Sequence, residues 1–436
     1  MNGSSRLRVA IVTTFYPPHN FGGDGRYVHS FAHALARAGC EVEVIYCDDG
    51  YRLLSGKASD PPPTEPVEEE DGVLVHRLSS RWAGASVLLM QQFGRPALVR
   101  KELEQTLSRG FDVIHYHNIS LAGGPGVLGI GDAIKFYTAH EHWLVCANHV
   151  LWRHGRELCD RRECIRCSLA HRRPPPLWRA TGLLEREAAH VDEFIALSES
   201  VAANHRKFGF HRDMRLMASF LPDAEAGAVP DVAPYAHPRP YFLMVGRLET
   251  IKGMQDVVPL FDADFPADLL IAGSGPMEAE LRRLAGGSPT VHFLGQIDPV
   301  SLPSLYRGAH ALIAPSRCYE VFPLVVLEAF REGTPIIARD LGPYPQIVRE
   351  SEAGLLFSGE SSLRNALTSL ANDEGLRARL SANGRAALAE RWSERTAMRD
   401  HFALVAEVAH RRGRPDVRER AKALLQGMVA GEEVEQ

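Results

Sequence analysis

No stretch of this chain holds the about 18 consecutive apolar residues that a helix needs to cross a bilayer. The opening segment, MNGSSRLRVAIVTTF, has only a short apolar run, which reads as a strand and not as a signal peptide. A cytoplasmic protein is the expectation. An excess of basic charge is also lacking: the net charge is −5, so nothing global points to nucleic acid as a partner. Cysteine is sparse, with 7 in 436 residues, which in a cytoplasmic chain argues against a disulfide framework. What is present is the balance of a soluble globular protein, 45% hydrophobic and 24% charged, in a chain long enough for two or three domains.

RVAIVTTF (8–15) is β-branched and bounded by Tyr16-Pro17-Pro18, so it reads as a buried strand. Val28, Phe31, Ala32 and Leu35 then mark one face of a helix that Gly39 stops, and EVEVIYC (41–47) is the next strand. Strand, helix, strand is the βαβ unit of parallel sheets. Residues 55–71 are Pro-rich and acidic and read as a mobile loop. FDVIHYHN (111–118), IKFYTAH (134–140) and DEFIALSE (192–199) are further strands. Residues 222–240 carry five prolines and no helical period, as a domain linker would. The pattern then restarts with PYFLMVGR (240–247), ADLLIAGSG (267–275), TVHFLGQ (290–296), HALIAPS (310–316) and TPIIARD (334–340). The fold class is therefore α/β, two Rossmann-like doubly wound domains facing a cleft where ligands bind at strand carboxyl ends.

The run SRCYEVFPLVVLEAFREGTPII (316–337) places two glutamates, Glu320 and Glu328, in an otherwise apolar segment. Pro323 suits a helix start and Gly333 its end, so Glu320 precedes a helix and Glu328 lies about 12 Å further along it. Carboxylates so spaced cannot share a proton, but they can hold two hydroxyl-bearing ends of one ligand. VGRLETIKG (245–253) leaves a strand with Arg247 and Lys252 together, both suited to phosphate oxygens. AGSGP (272–276) is a glycine loop at another strand end. Together these residues describe a nucleotide-diphosphate pocket, against the plainer reading of each as solvated surface.

FGGDGRYVHSFAHALARAGCEVEV, DVIHYHN, VGRLETIKG, AGSGP, FLGQ and the E-x7-E run, in this order, resemble the retaining GT-B glycosyltransferases of family four, which include glycogen-synthase-like and mannosyltransferase-type group 1 enzymes. The resemblance implies an N-terminal acceptor-binding domain over 1–221 with a cysteine-rich insertion at 146–171, and a linker over 222–240. A nucleotide-sugar-binding domain over 241–390 follows, then a helix over 391–410 packing back towards the N-terminal domain and a charged, frayed tail over 411–436. It implies a UDP- or GDP-sugar donor and no metal for catalysis. Glu320 faces the donor sugar, Glu328 the ribose hydroxyls, and Arg247 and Lys252 the departing diphosphate. Gly22, Gly23, Gly246, Gly273 and Gly275 let backbone approach the nucleotide sugar, and Phe322 and Leu324 complete its contacts. His140 in YTAHEHW reaches the reacting centre from the N-terminal domain. Asp262 and Asp264 form a D-x-D that precedes a strand and reads as surface. The chain departs from the family pattern at Pro323, at Gly342-Pro343-Tyr344-Pro345-Gln346 and at SFLPD (219–223), which bears on donor-sugar identity. The acceptor is a saccharide, a lipid-linked saccharide or a small metabolite, and a catalytically inactive GT-B binding protein is the alternative reading.

Cys146, Cys159, Cys164 and Cys167 are spaced C-x12-C-x4-C-x2-C. Four thiolates suit a closed tetrahedral structural zinc site, with free buried thiols, or an iron–sulfur cluster or redox pair, as the alternatives. Nine arginines between Arg153 and Arg186 outnumber the acids there. They suit an anionic lipid at the inner membrane face, a pyrophosphate-bearing acceptor, or only solvent.

Overall fold

The computed structural model describes residues 6–63, 65–222 and 233–435, with side chains to residue 428. Most of the expected linker, 223–232, lies outside the described residues. The chain divides into two compact units. The first combines Met1–Leu197, Val201–Pro222 and Glu394–Gln436; the second combines Ser198–Ser200 and Asp223–Ser393.

The first unit contains β1 (Arg8–Thr13), β2 (Glu41–Cys47), β3 (Val67–Glu70), β4 (Val73–Leu78), β5 (Val113–Tyr116), β6 (Ile134–Ala139), β7 (Trp152–Arg153), β8 (Glu157–Leu158), β9 (Glu193–Ala196) and β10 (Met214–Leu216). Eight of these form one sheet in the order β10-β9-β6-β5-β1-β2-β4-β3, while β7 and β8 make a separate hairpin. β1 is central, with Ile11 opposite Val44 on one side and His115 on the other. Five of its six residues are buried, as a parallel strand covered on both faces requires. The helix Gly23–Arg37 returns the chain from β1 to β2 and buries Val28, Phe31, Ala32 and Leu35 along one face.

Two expectations for this unit are corrected. The acidic loop of 55–71 is only partly a loop, because β3 pairs antiparallel with β4 and ends that stretch as a hairpin. Asp71 and Gly72 both adopt positive φ, 46° and 81°, the left-handed pair that a tight two-residue hairpin demands. The residues after 411 are not a frayed tail. Pro415–Glu435 is a helix, packed on the preceding helix Glu394–Arg411. Val417 and Ala421, one turn apart, are fully buried, so the charges that suggested fraying are the outer face of an amphipathic helix. Both helices belong to the first unit. Arg37 donates to Glu394 at 2.6 Å, and Arg420 donates to the buried Asp112 at 2.9 Å.

The second unit contains β11 (Tyr241–Val245), β12 (Asp268–Ala272), β13 (Val291–Gly295), β14 (Leu312–Ala314), β15 (Ile336–Arg339) and β16 (Gly354–Phe357). Their order is β13-β12-β11-β14-β15-β16, and every pair is parallel. The chain winds outward from β11 to β13, then returns to β14 on the other side of β11 and winds outward again. The β11–β14 junction is thus the topological switch point, where such sheets bind ligands beyond their carboxyl ends. Phe242, Met244, Leu269, Ile271, Ile313 and Ile337 fill the core beneath it.

Val417→Asp should destabilise the first unit by on the order of 3 kcal/mol, since it buries an unpaired carboxylate between two helices. Urea unfolding followed by circular dichroism measures this. A variant as stable as the parent would mean that the last helix contributes nothing to the core.

Candidate active site

β11 ends at Val245 and delivers Gly246 and Arg247; β14 ends at Ala314 and delivers Ser316 and Glu320. The turn after β11 closes at Gly253, with φ 73°. A Cβ there would lie 2.0 Å from the Pro315 carbonyl oxygen, so only glycine lets this turn press against the segment after β14. That contact brings Lys252 to Glu320, Nζ to Oε1 at 2.7 Å, where Ser316 Oγ also donates at 2.7 Å. Both bonds end on Oε1, and Oε2 of Glu320 accepts none among the described residues. Burial works against the charge on Lys252, but Glu320 outweighs it and the ammonium pKa is raised. Burial likewise pushes Glu320 up, yet Lys252, Ser316 and Arg247 prevail and hold the carboxyl below its ordinary range. The pair is charged on both sides. Arg247 is exposed and donates to Glu249 at 2.7 Å.

The glycine loop after β12 has a structural reason of its own. Gly273 takes φ 140°, and a Cβ there would stand 1.9 Å from the Gly246 carbonyl oxygen. At Gly275 a Cβ would meet the backbone of Leu248 at 2.5 Å. These glycines therefore let the loops after β11 and β12 nest against each other, beside whatever they do for a ligand.

Glu328 lies in the helix Leu324–Glu332, which starts one residue after Pro323 and ends at Gly333 in left-handed conformation. It is buried, and its Oε2 accepts from the Tyr306 hydroxyl at 2.8 Å. Phe322 is buried edge-on to Trp392, and Leu324 is half-buried. Asp262 and Asp264 are exposed, with the Asp264 amide donating to Asp262, a local turn.

In the first unit Gly22 has φ 99° with open space where a side chain would stand, and Gly23 is the first residue of the helix. His140 follows β6 and bonds to the buried His117, Nε2 to Nδ1 at 2.8 Å, with Tyr27 against its ring. Burial pushes His140 down to about 3, so the imidazole is neutral at physiological pH. His115 and His117 stack in turn, and His115 lies parallel to His401 from the helix Glu394–Arg411.

Ser316, Tyr306, Tyr344 and His117 carry no motif of their own in the sequence. Ser316 follows the same strand, β14, as Glu320, and His117 follows β5, the neighbour of the strand that leads to His140. Tyr344 belongs to the run Gly342–Gln346 that departs from the family pattern. It is buried, and that burial, with the Glu320 charge as a lesser cause, pushes its phenol pKa up. The departure thus begins against the Glu320 backbone, since a Cβ at Gly342 would lie 3.4 Å from the Glu320 amide nitrogen.

Residues 21–217 match the model described as Glycosyltransferase Family 4, and residues 231–387 match Glycosyl transferases group 1. The chain belongs to the GT-B glycosyltransferases of family four. This glycosyltransferase is 28% identical over 369 residues to a GDP-mannose-dependent alpha-mannosyltransferase of Mycolicibacterium smegmatis, covering 80% of this chain and 84% of that one. It is 35% identical over 165 residues to the phosphatidyl-myo-inositol mannosyltransferase of Mycobacterium leprae; that match spans 36% of this chain and 44% of the relative. In fold it resembles sucrose-phosphate synthase from Thermosynechococcus elongatus, with a TM-score of 0.62 at 23% identity, over 92% of this chain and 98% of that one. It also resembles Anabaena HepE in complex with UDP and glucose, with a TM-score of 0.63 at 16% identity, over 92% and 100%.

Five fully enclosed histidines of the first unit, His115, His117, His142, His205 and His401, are held below their ordinary range, burial being the largest cause for each. Unfolded, each takes up a proton near 6.5; folded, each stays neutral well below that. The unfolded chain therefore binds more protons in this interval, and stability should fall as pH drops from about 6.5 towards about 4. Denaturation midpoints across that range measure the slope. His401→Phe should make it shallower by about 1.4 kcal/mol per pH unit, one proton's worth. An unchanged slope would mean that His401 is protonated in the folded chain.

Proposed function

We propose that this glycosyltransferase moves a hexose, or an N-acetylhexosamine, from a UDP- or GDP-sugar to an acceptor hydroxyl with retention of anomeric configuration. One observation carries the reading: a charged Lys252–Glu320 pair at the switch point, with the exposed Arg247 close enough to influence both charges. A dissociating nucleoside diphosphate accumulates negative charge on its bridging oxygen, and fixed cations at that point stabilise the transition state. Lys252 and Arg247 supply two. Lys252 is already oriented by Glu320, so little reorganisation accompanies charge development.

In this scheme Glu320 keeps Lys252 in place through Oε1 and accepts from donor-sugar hydroxyls through Oε2. Its depressed pKa keeps it an acceptor across the physiological range. Glu328 binds the ribose hydroxyls, and the Tyr306 hydroxyl fixes its carboxylate for that task. His140, neutral and steadied by His117, hydrogen-bonds the sugar; it carries no charge to compete with the two cations for the diphosphate. Departure of the diphosphate and attack by the acceptor on the same face require no protein nucleophile. The acceptor is a saccharide, a lipid-linked saccharide or a small metabolite. The mycobacterial relatives, a GDP-mannose-dependent alpha-mannosyltransferase and a phosphatidyl-myo-inositol mannosyltransferase, favour glycan or glycolipid assembly. The catalytically inactive alternative has nothing in its favour at this site, where the charged residues are intact and paired.

Arg247→Ala or Lys252→Ala should lower kcat by about 10²-fold or more at saturating donor, because each leaves departing charge unstabilised. A thermal-shift screen against UDP-, GDP- and ADP-sugars identifies the donor first, since a ligand of the native state raises the Tm. Near-normal turnover in either variant would overturn the leaving-group role. The two glutamates are separable as well. Glu328→Ala should weaken binding of the free nucleoside diphosphate, whereas Glu320→Ala should reduce kcat and largely spare that affinity. Calorimetry on both variants reads the difference, and equal losses of nucleotide binding would refute the division.

A further inference from the structure

The four spaced cysteines play no part in glycosyl transfer as proposed above, yet the fold gathers them. Cys146, Cys159, Cys164 and Cys167 all line one small pocket in the first unit, with Asn148, Trp152, Arg153 and Phe208 around them. Cys146 comes from the loop after β6, which turns back so tightly that the amides of Val145 and Cys146 both donate to the His142 carbonyl. Cys159 follows the β7–β8 hairpin, its amide donating to the Leu151 carbonyl at 2.7 Å. Cys164 and Cys167 occupy the first turn of the helix Cys164–Ala170. Two loop thiols and two from a helix start thus line one pocket beside a short hairpin.

Three observations point to a bound cation. Cys167 Sγ already accepts two hydrogen bonds, from the His154 amide at 3.2 Å and from Asn148 Nδ2 at 3.4 Å. Donors aimed at sulfur are the outer-shell contacts that stabilise a thiolate bound to a metal. The guanidinium of Arg179 donates to the carbonyls of Trp143, Leu144 and Cys146 and lies over the Trp178 ring. It brings a fixed positive charge beside this pocket, and four thiolates around a divalent ion carry a net charge of −2 that needs such a partner. The segment is also held by unusual backbone, since His149, Leu151 and His154 all take positive φ, which non-glycine residues adopt at a cost of about 1–3 kcal/mol each. Something must offset that cost in a short segment whose apolar Ile165 and Leu169 face solvent.

We propose that Cys146, Cys159, Cys164 and Cys167 bind one zinc ion as a structural S4 site. Each thiol loses its proton to solvent as its sulfur coordinates, and no redox step is involved. Zinc fits because it takes four thiolates tetrahedrally without electron transfer and leaves no open position, so the site holds structure and performs no chemistry. Among the described residues the sulfurs are more spread than a bound ion holds them. The groups whose ligand atoms lie within 4.8 Å of one another are His29, His33 and Glu70, and His237, Asp268 and His292. Binding therefore draws the four side chains inward and couples to local order. The segment so fixed begins six residues after His140, and the hydrogen bond between His149 Nδ1 and Glu141 Oε2 at 2.6 Å ties it to the end of β6.

The test is metal analysis of the full chain, purified without chelator and then dialysed against zinc-free buffer. The expected result is about one equivalent of zinc and no iron. Cys164→Ser with Cys167→Ser should lose that zinc and become sensitive to limited proteolysis between His149 and Arg173, while Cys40→Ser with Cys318→Ser should retain it. Cobalt exchanged into the parent should show the intense d–d bands of a tetrahedral thiolate site, a readout that needs no folded variant. Less than about half an equivalent of zinc after reconstitution, or iron with visible charge-transfer absorption, would overturn the proposal. So would zinc that stays in the Cys164–Cys167 double variant and leaves with His33→Gln, since the ion would then sit on His29, His33 and Glu70.

Discussion

The ion pair between Lys252 and Glu320 is the contact on which the organisation of the second unit's upper edge depends. It joins the turn after β11 to the segment after β14, the two strands that flank the switch point. Several features that look independent are arranged around it. Gly253 has no side chain so that the turn can reach Pro315, and Ser316 adds a second donor to the same carboxylate oxygen. Half-buried ions are costly when alone, and each partner here compensates the other's partial desolvation. The result is a cation fixed in place before any ligand arrives.

Much of this was legible in the sequence because short β-branched runs alternate with helical periods, and parallel sheets put functional residues at strand ends. The strand that ends at Val245 and the one that ends at Ala314 could both be read directly, and with them the positions of Arg247, Lys252 and Glu320. That Lys252 lies against Glu320 could not be, since it depends on a loop-to-loop contact between residues 68 positions apart. Tyr306 was hidden for the same reason. Its role as donor to Glu328 depends on how two helices pack, not on any local pattern.

The misread stretches have physical causes as well. Acidic composition suggested a loop over 55–71, but Asp71-Gly72 between Val-Glu-Glu-Glu and Val-Leu-Val is a hairpin signal, and turn chemistry prevailed over charge. The last helix was obscured because, among its described side chains, only Val417 and Ala421 are buried, small residues among many charges. The row of histidines at 115, 117 and 140 was visible as residues but not as a cluster. It needed His401, almost three hundred positions away, to come back against β5 and β6.

That return has a consequence for how the molecule comes into being. The first unit is built from three separate stretches, and the carboxylates of Glu394 and Asp112 make ion pairs with residues from opposite ends of the chain. During synthesis the eight-stranded sheet emerges long before the helix Glu394–Arg411, whose His401 packs on its buried histidines. The second unit, nearly continuous in sequence, has all its strands available earlier than the first unit has its full set of elements. Vectorial folding would therefore finish the later-made unit first, and the first unit would wait, with part of its core uncovered, for the end of the chain.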